Sequence, residues 1–392
     1  VAPLAITAQQ ANGDAGALNS ITGTWAVSVT DTSAAIATNL DALQTLKNNG
    51  HLSAVAQSGT PAALGITASQ ITSDAGVLGM LSSYTLAISD TSSGISSNLD
   101  AIQGALTKVS SITNTTLGNP IAVSALQVVS DAQALNKISG AWTLSVTDSS
   151  PNIASSLDAL QTLQGAGRLT SITQSGTPSA LVITAVQAKN DGAALKLIGG
   201  NWSANIVDSS SNIATNIDTL QALQSAGRLG TITQNAPVAA LAVSALQVVA
   251  DSAALNKLQG SWTVNVTDTS GNIASNLDAL QTLVAAGHLG TVTQSGTVSP
   301  LSITAAQAYN DAAALAKLQG NWSVNVTDTS ANIQANIDAL QALKAGGHLG
   351  SVTQSVPVSQ ISLTGTQVHN DLQALGAIGG AYTVAVADTG AT

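Results

Sequence analysis

Hydrophobic residues in this chain follow two periods in turn, and the alternation between the two repeats. Over Trp262–Thr267 the period is two: Trp262, Val264 and Val266 share one face, Thr263, Asn265 and Thr267 the other. β-Branched residues at that period predict a strand. Ile273, Leu277, Leu280 and Leu283 then recur at helical spacing and form one stripe. Ser270 stands where an N-cap is expected; Ser33, Ser92, Ser150, Ser210 and Ser330 hold the same slot, and Pro151 follows Ser150 where a first-turn proline is favoured. Gly287 is expected to end the helix in a left-handed conformation, with Leu289 following as its apolar partner. Leu289–Gln294 predicts a second short strand, and Pro300–Thr304 a third after a turn at Ser295 and Gly296. A second helix opens at Thr304, with Gln307 three residues on. This capping-box pairing recurs as Thr7/Gln10, Thr67/Gln70, Ser124/Gln127, Thr184/Gln187, Ser244/Gln247 and Thr364/Gln367. Ala312, Leu315 and Leu318 supply the apolar face of that helix, and Gly320 stops it.

One unit therefore reads β-α-β-β-α, and an aromatic residue opens each copy: Trp25, Tyr84, Trp142, Trp202, Trp262, Trp322 and Tyr382. A fixed period of about 60 residues is the mark of a stacked repeat architecture. The expected fold is α/β, a single repeat solenoid of such units stacked into a rod. Its divisions are a partial unit 1–24, units 25–83, 84–141, 142–201, 202–261, 262–321 and 322–381, and a partial unit 382–392. Strands sit about 4.8 Å apart and packed helices about 8–10 Å. Two strands per helix in one sheet would match those spacings, which predicts a fairly straight rod. The chain starts and stops in mid-repeat, so flanking repeats, or end-to-end packing on other copies, are expected.

Composition narrows the function. Charged residues are 8% of the chain, well below the roughly 25% usual in globular proteins, while 44% are apolar, enough to build a core. A net charge of −10 with no basic run argues against nucleic acid or an anionic membrane as partner. No apolar run approaches the roughly 20 residues of a membrane span. The absence of Cys excludes disulfides and thiolate metal sites.

All 20 acidic residues are Asp, and all fall in three repeating slots. Asp31, Asp90, Asp148, Asp208, Asp268, Asp328 and Asp388 end the first strand. Asp41, Asp100, Asp158, Asp218, Asp278 and Asp338 lie on the first helix, and Asp14, Asp74, Asp131, Asp191, Asp251, Asp311 and Asp371 on the second. No acid is left over as a unique general acid or base, so no catalytic residue and no cofactor are expected. The strand-end acids are expected to meet helix N–H groups; a column of structural calcium sites is the alternative. His51, His288 and His348 share a slot with Arg168 and Arg228, which suits a cation at a helix C-terminus better than a metal ligand. His369 falls in a variable slot expected to be exposed. The aromatic series suits a seal between units, with a glycan-stacking platform as the alternative. Thr113, Thr173, Thr233, Thr293 and Thr353, with Gln174, Gln234, Gln294 and Gln354 beside them, are expected to form side-chain ladders, or less simply an array for ice or a crystalline glycan.

Read as one block, the "VTDT", "NLDAL" and "ITAxQ" segments resemble a repeat of very large secreted or surface proteins of proteobacteria, of the type I secretion substrate or adhesin kind. The resemblance covers the whole chain. It implies an extracellular or cell-surface location and a structural, non-enzymatic role, as part of a fibre, surface layer or adhesin rod whose partner is another copy or flanking repeats. It brings no catalytic residues. A carbohydrate-binding module using the Trp or Thr series is the alternative.

Overall fold

A computed structural model describes residues 2–387. The chain divides into two compact bodies, residues 1–181 with 190–202 and residues 182–189 with 203–392. In each body the same elements recur in the same order, and the architecture is α/β, with short parallel sheets and helices between the strands.

The segment around residue 262 shows the pattern. Strand Val264–Asp268 leads into helices Ser270–Ser275 and Leu277–Ala285, then strands Leu289–Gln294 and Leu301–Ile303, then helices Ala305–Asn310 and Ala312–Leu315. The β-α-β-β-α order is thus present. The expectation of one helix per segment is corrected: each helix is kinked into two. Asn276 (φ −115°, ψ 18°) and Asp311 (φ −106°, ψ 18°) sit in the bridge region at the two kinks. At the first, Asn276 Nδ2 donates to the Asn272 carbonyl, 2.7 Å, an i−4 side-chain bond of the kind that bends helices. The Leu280 N–H reaches the Asn276 carbonyl, the first bond of the helix that starts after the bend.

Sheets are parallel throughout, as strands joined by helical crossovers must be. Leu241–Val243 pairs with Val264–Asp268, which pairs with Leu289–Gln294; the registers are Leu241↔Val264 and Val264↔Leu289. A single bridge, Val292↔Leu318, closes the far edge. Leu301–Ile303 belongs to the next sheet, with Val324–Asp328, Leu349–Gln354 and Ile378–Gly379. The first body repeats this, as in Leu64–Ile66, Leu86–Asp90, Val109–Asn114 and Ile138–Ser139. Each such sheet takes its first strand from the preceding sequence unit. Among the described residues hydrogen bonding does not run on from one sheet to the next, so the strands of successive units do not share one sheet.

Two local expectations also change. Leu318 leaves the helix, which ends at Leu315, and joins the sheet edge as the bridge residue. The cap of the first helix is Thr269, whose hydroxyl accepts from the Asn272 N–H, 3.3 Å; Ser270 is the next residue and is buried. Gly287 does end its helix at φ +76°, in a Schellman arrangement: the His288 N–H reaches the Leu283 carbonyl and the Gly287 N–H that of Val284. The core lies between sheet and helices. Val264, Val266, Val292 and Ile303 meet Ile273, Leu277, Leu280 and Leu315, all nearly or fully buried.

Candidate functional site

Three polar or aromatic arrangements recur. The first is built on the strand-end Asp. Asp268 Oδ2 accepts the Ala245 N–H, 3.0 Å, at the start of the preceding unit's second helix. Its Oδ1 accepts the Thr269 N–H, 2.8 Å, and Asn272 Nδ2, 2.8 Å, at the start of its own first helix. One carboxylate thus clamps two helix N-termini, where N–H groups lack helical partners and the dipole favours negative charge. Asp31, Asp90, Asp148, Asp208 and Asp328 do the same with Ala8, Ala68, Ala125, Ala185 and Ala305. Asp388 lies outside the described residues. Burial alone would raise the Asp268 carboxyl, but Asn272 and the Thr269, Leu246 and Ala245 N–H groups hold it below the ordinary carboxylate range; Asp148 behaves alike. These oxygens are occupied by N–H donors, and among the described residues no group of three or more His or Asp is placed to hold a metal ion.

The invariant Ser is part of the same joint. Ser270 Oγ accepts from Gln294 Nε2, 2.8 Å, and from the Ser299 N–H, 3.1 Å, tying helix start, strand end and turn together. The Gln residues expected in ladders are therefore turned to this joint. The Thr residues do pair across strands on the exposed face, Thr267↔Thr293 and Thr327↔Thr353.

The second arrangement joins the first and second helix pairs of a unit. Gln281 Oε1 accepts the Ala314 N–H, 2.9 Å. Gln307 completes the capping box: its Oε1 accepts the Thr304 N–H, 3.0 Å, and its Nε2 donates to Asp278 Oδ1, 3.0 Å. Beside Asp278 lies Asp311, 3% exposed, within hydrogen-bonding reach of it. Burial and this neighbouring acid push Asp311 up to about 7. Asp278, exposed and served by Gln307, is held below the ordinary range. Sequence reading found Gln307, Asp278 and Asp311 but not that they meet, and did not single out Gln281; a spacing of 33 residues between the two acids gives no local signal.

The third arrangement merges two series that the sequence keeps apart. His288 stacks on Trp262, with centroids 3.7 Å apart and planes at 5°, and its Nδ1 lies 3.0 Å from the Trp262 carbonyl. His51 on Trp25 and His348 on Trp322 repeat it. Arg168 lies over Trp142, 4.6 Å from the ring centre, and Nη1 donates to the Trp142 carbonyl, 3.0 Å. His and Arg interchange because both are flat, both cover the indole and both can donate to its carbonyl. The slot serves the aromatic ring and not chiefly the helix C-terminus. Trp262 is 7% exposed, and Trp25, Trp142 and Trp202 are also buried, which suits a seal and leaves little ring face for a sugar. His369 is exposed on the last turn of its helix.

A groove of about 400 Å³ is lined by Tyr309, Leu315, Trp322, Leu343 and His348 among alanines. Its lining sets no nucleophile beside a base. Among the described residues no helix is long and apolar enough to cross a membrane. No protein-family model matches the chain, and no curated protein is detectably similar to it.

Proposed function

We propose that this chain is a structural, non-enzymatic segment of an extracellular assembly, a fibre, surface layer or adhesin, that associates with further repeats of its own kind. The observation that carries this reading is the strand-end Asp clamp. It spends the most polar group of each unit on holding the neighbouring unit's helix, and it does so in six successive units. A reaction centre needs groups that differ from their surroundings in pKa and geometry at one place. Here the acids, the imidazoles and the amide side chains are used in joints that recur. Because each unit presents the same carboxylate backward and the same N–H donors forward, any unit's leading side fits any other's trailing side, which is the condition for open, head-to-tail growth. The resemblance to repeats of large secreted proteins supports export.

Electron microscopy of the purified chain at rising concentration tests the reading. Fibres or lattices that lengthen with concentration are expected. A population that stays monomeric by light scattering at millimolar concentration, natively folded, would sink the self-association part.

A further inference from the structure

We propose that the six inter-helix Asp pairs are proton clasps: each holds one shared proton, and that proton fastens the two helical halves of a unit. This rests on geometry repeated six times. Asp74, Asp131, Asp191, Asp251, Asp311 and Asp371 are 2–4% exposed, each at a helix kink. Each lies within hydrogen-bonding reach of an acid on the first helix or is raised by it: Asp41, Asp100, Asp158, Asp218, Asp278 and Asp338 in that order. The Oδ2 of every inner Asp is sealed from solvent and has no N–H or hydroxyl donor. A buried carboxylate oxygen in contact with a second carboxylate is stable only if a proton lies between them.

The side that keeps the charge is also set. Where the Gln bond is resolved, Gln70, Gln127, Gln247 and Gln307 donate Nε2 to the outer acid. The Gln cannot turn to accept, because its Oε1 is held by the cap N–H. An amide donor favours the charged form and holds Asp100, Asp218 and Asp278 below the ordinary range, so the inner acid carries the proton as an O–H donor. The elements packed on Ala305–Leu315 carry Asp278, Asp328, Asp338 and Lys344. Of these Asp278 alone acts on Asp311, while Asp328 is committed to the Ala305 N–H. In the preceding unit Lys189 acts on the outer Asp218 and not on Asp251.

The sign follows from linkage. The inner acids are pushed up to about 6 or 7, against about 3.9 in an unfolded chain. Their stabilisation is complete only below about pH 4, the unfolded value, and is lost as pH rises from there through 6 and 7. The protein is thus set to be tightest in acid surroundings and to loosen within its units in alkaline ones.

The test is carbon-13 NMR of the Asp side-chain carboxyls of the full chain in a chelator, alongside thermal melts from pH 5 to 8.5. Six carboxyls titrating near 6–7 are expected, with a melting temperature that falls across that interval. Asp311→Asn keeps a donor without a titrating proton, so it should melt like the parent at pH 5 and above it at pH 8. Asp278→Asn should return the Asp311 midpoint toward the ordinary value. Midpoints all below 5 would overturn the proposal, as would an Asp311→Asn protein with the parent's pH slope. So would recovery of the pH 8 melting temperature by added calcium in the parent but not in Asp311→Asn, which would make the pair a cation site. These outcomes leave the assembly reading untouched, since they concern contacts inside a unit.

Discussion

At the scale of single residues, coupled choices stand out. The second strand carries a bulge opposite Asn265, where the register shifts between Val264 and Val266. Gly290 lies there because a Cβ would collide with the Asn265 amide oxygen, which accepts the Thr291 N–H, 3.1 Å. Gly230 with Asn205 and Gly350 with Asn325 are the same solution. Earlier units solve the bulge differently: Ser53, Ser110 and Thr170 replace the Gly and donate to the first-strand carbonyls of Val27, Leu86 and Leu144, opposite Ser28, Ala87 and Ser145. Gly290→Ser alone is therefore expected to destabilise by about 1–3 kcal/mol, the range for overpacking. Adding Asn265→Ser should return most of that loss, read as a coupling in a double-mutant cycle of urea melts. Simple additivity of the two changes would contradict the pairing.

At the scale of elements, hydrophobic period and most second-helix caps were legible, while the first-helix cap, one residue early at Thr269, and the kinks were not. The capping boxes form at Thr7, Ser124, Thr184, Ser244, Thr304 and Thr364 as the spacing implies, but not at Thr67, where Ser69 takes the cap position without a side-chain bond. Kinks escaped because Ile273, Leu277 and Leu280 keep helical spacing through the bend at Asn276. The bend creates a new helix start at Ala312 whose N–H groups need acceptors, and Asp311 does not supply one from its side chain. Gln281, from the other helix, does. Gln44, Gln103, Gln161, Gln221 and Gln341 hold the matching N–H groups of Val77, Ala134, Ala194, Ala254 and Ala374. Gln281→Ala should cost about 1–3 kcal/mol, the penalty for a buried donor left unpaired, measured by urea unfolding. A cost below about 0.5 kcal/mol, as for an ordinary surface change, would mean that water replaces the amide.

For the whole molecule, interchangeable joints make a deletion informative. Removing residues 262–321 brings Asp328 to the place of Asp268 before the Ala245 N–H, with an unchanged cap residue type at Thr329. The shortened chain is expected to fold cooperatively, with an unfolding enthalpy lower roughly in proportion to the residues lost. Calorimetry decides it: an unfolded or molten product would show that the units are not equivalent.

The sequence by itself determined the period, the order of strands and helices, most second-helix caps and the burial faces, because these depend on neighbours within a few residues, where spacing is the geometry. It also showed that Asp falls in three slots and that His alternates with Arg. Only tertiary structure decided what those slots do: that Asp268 holds two helices, that His288 lies flat on Trp262, and that Asp278 and Asp311 share an interface. The partners are separated by 23, 26 and 33 residues, so no local period relates them; chain packing brings them together and sets their charge.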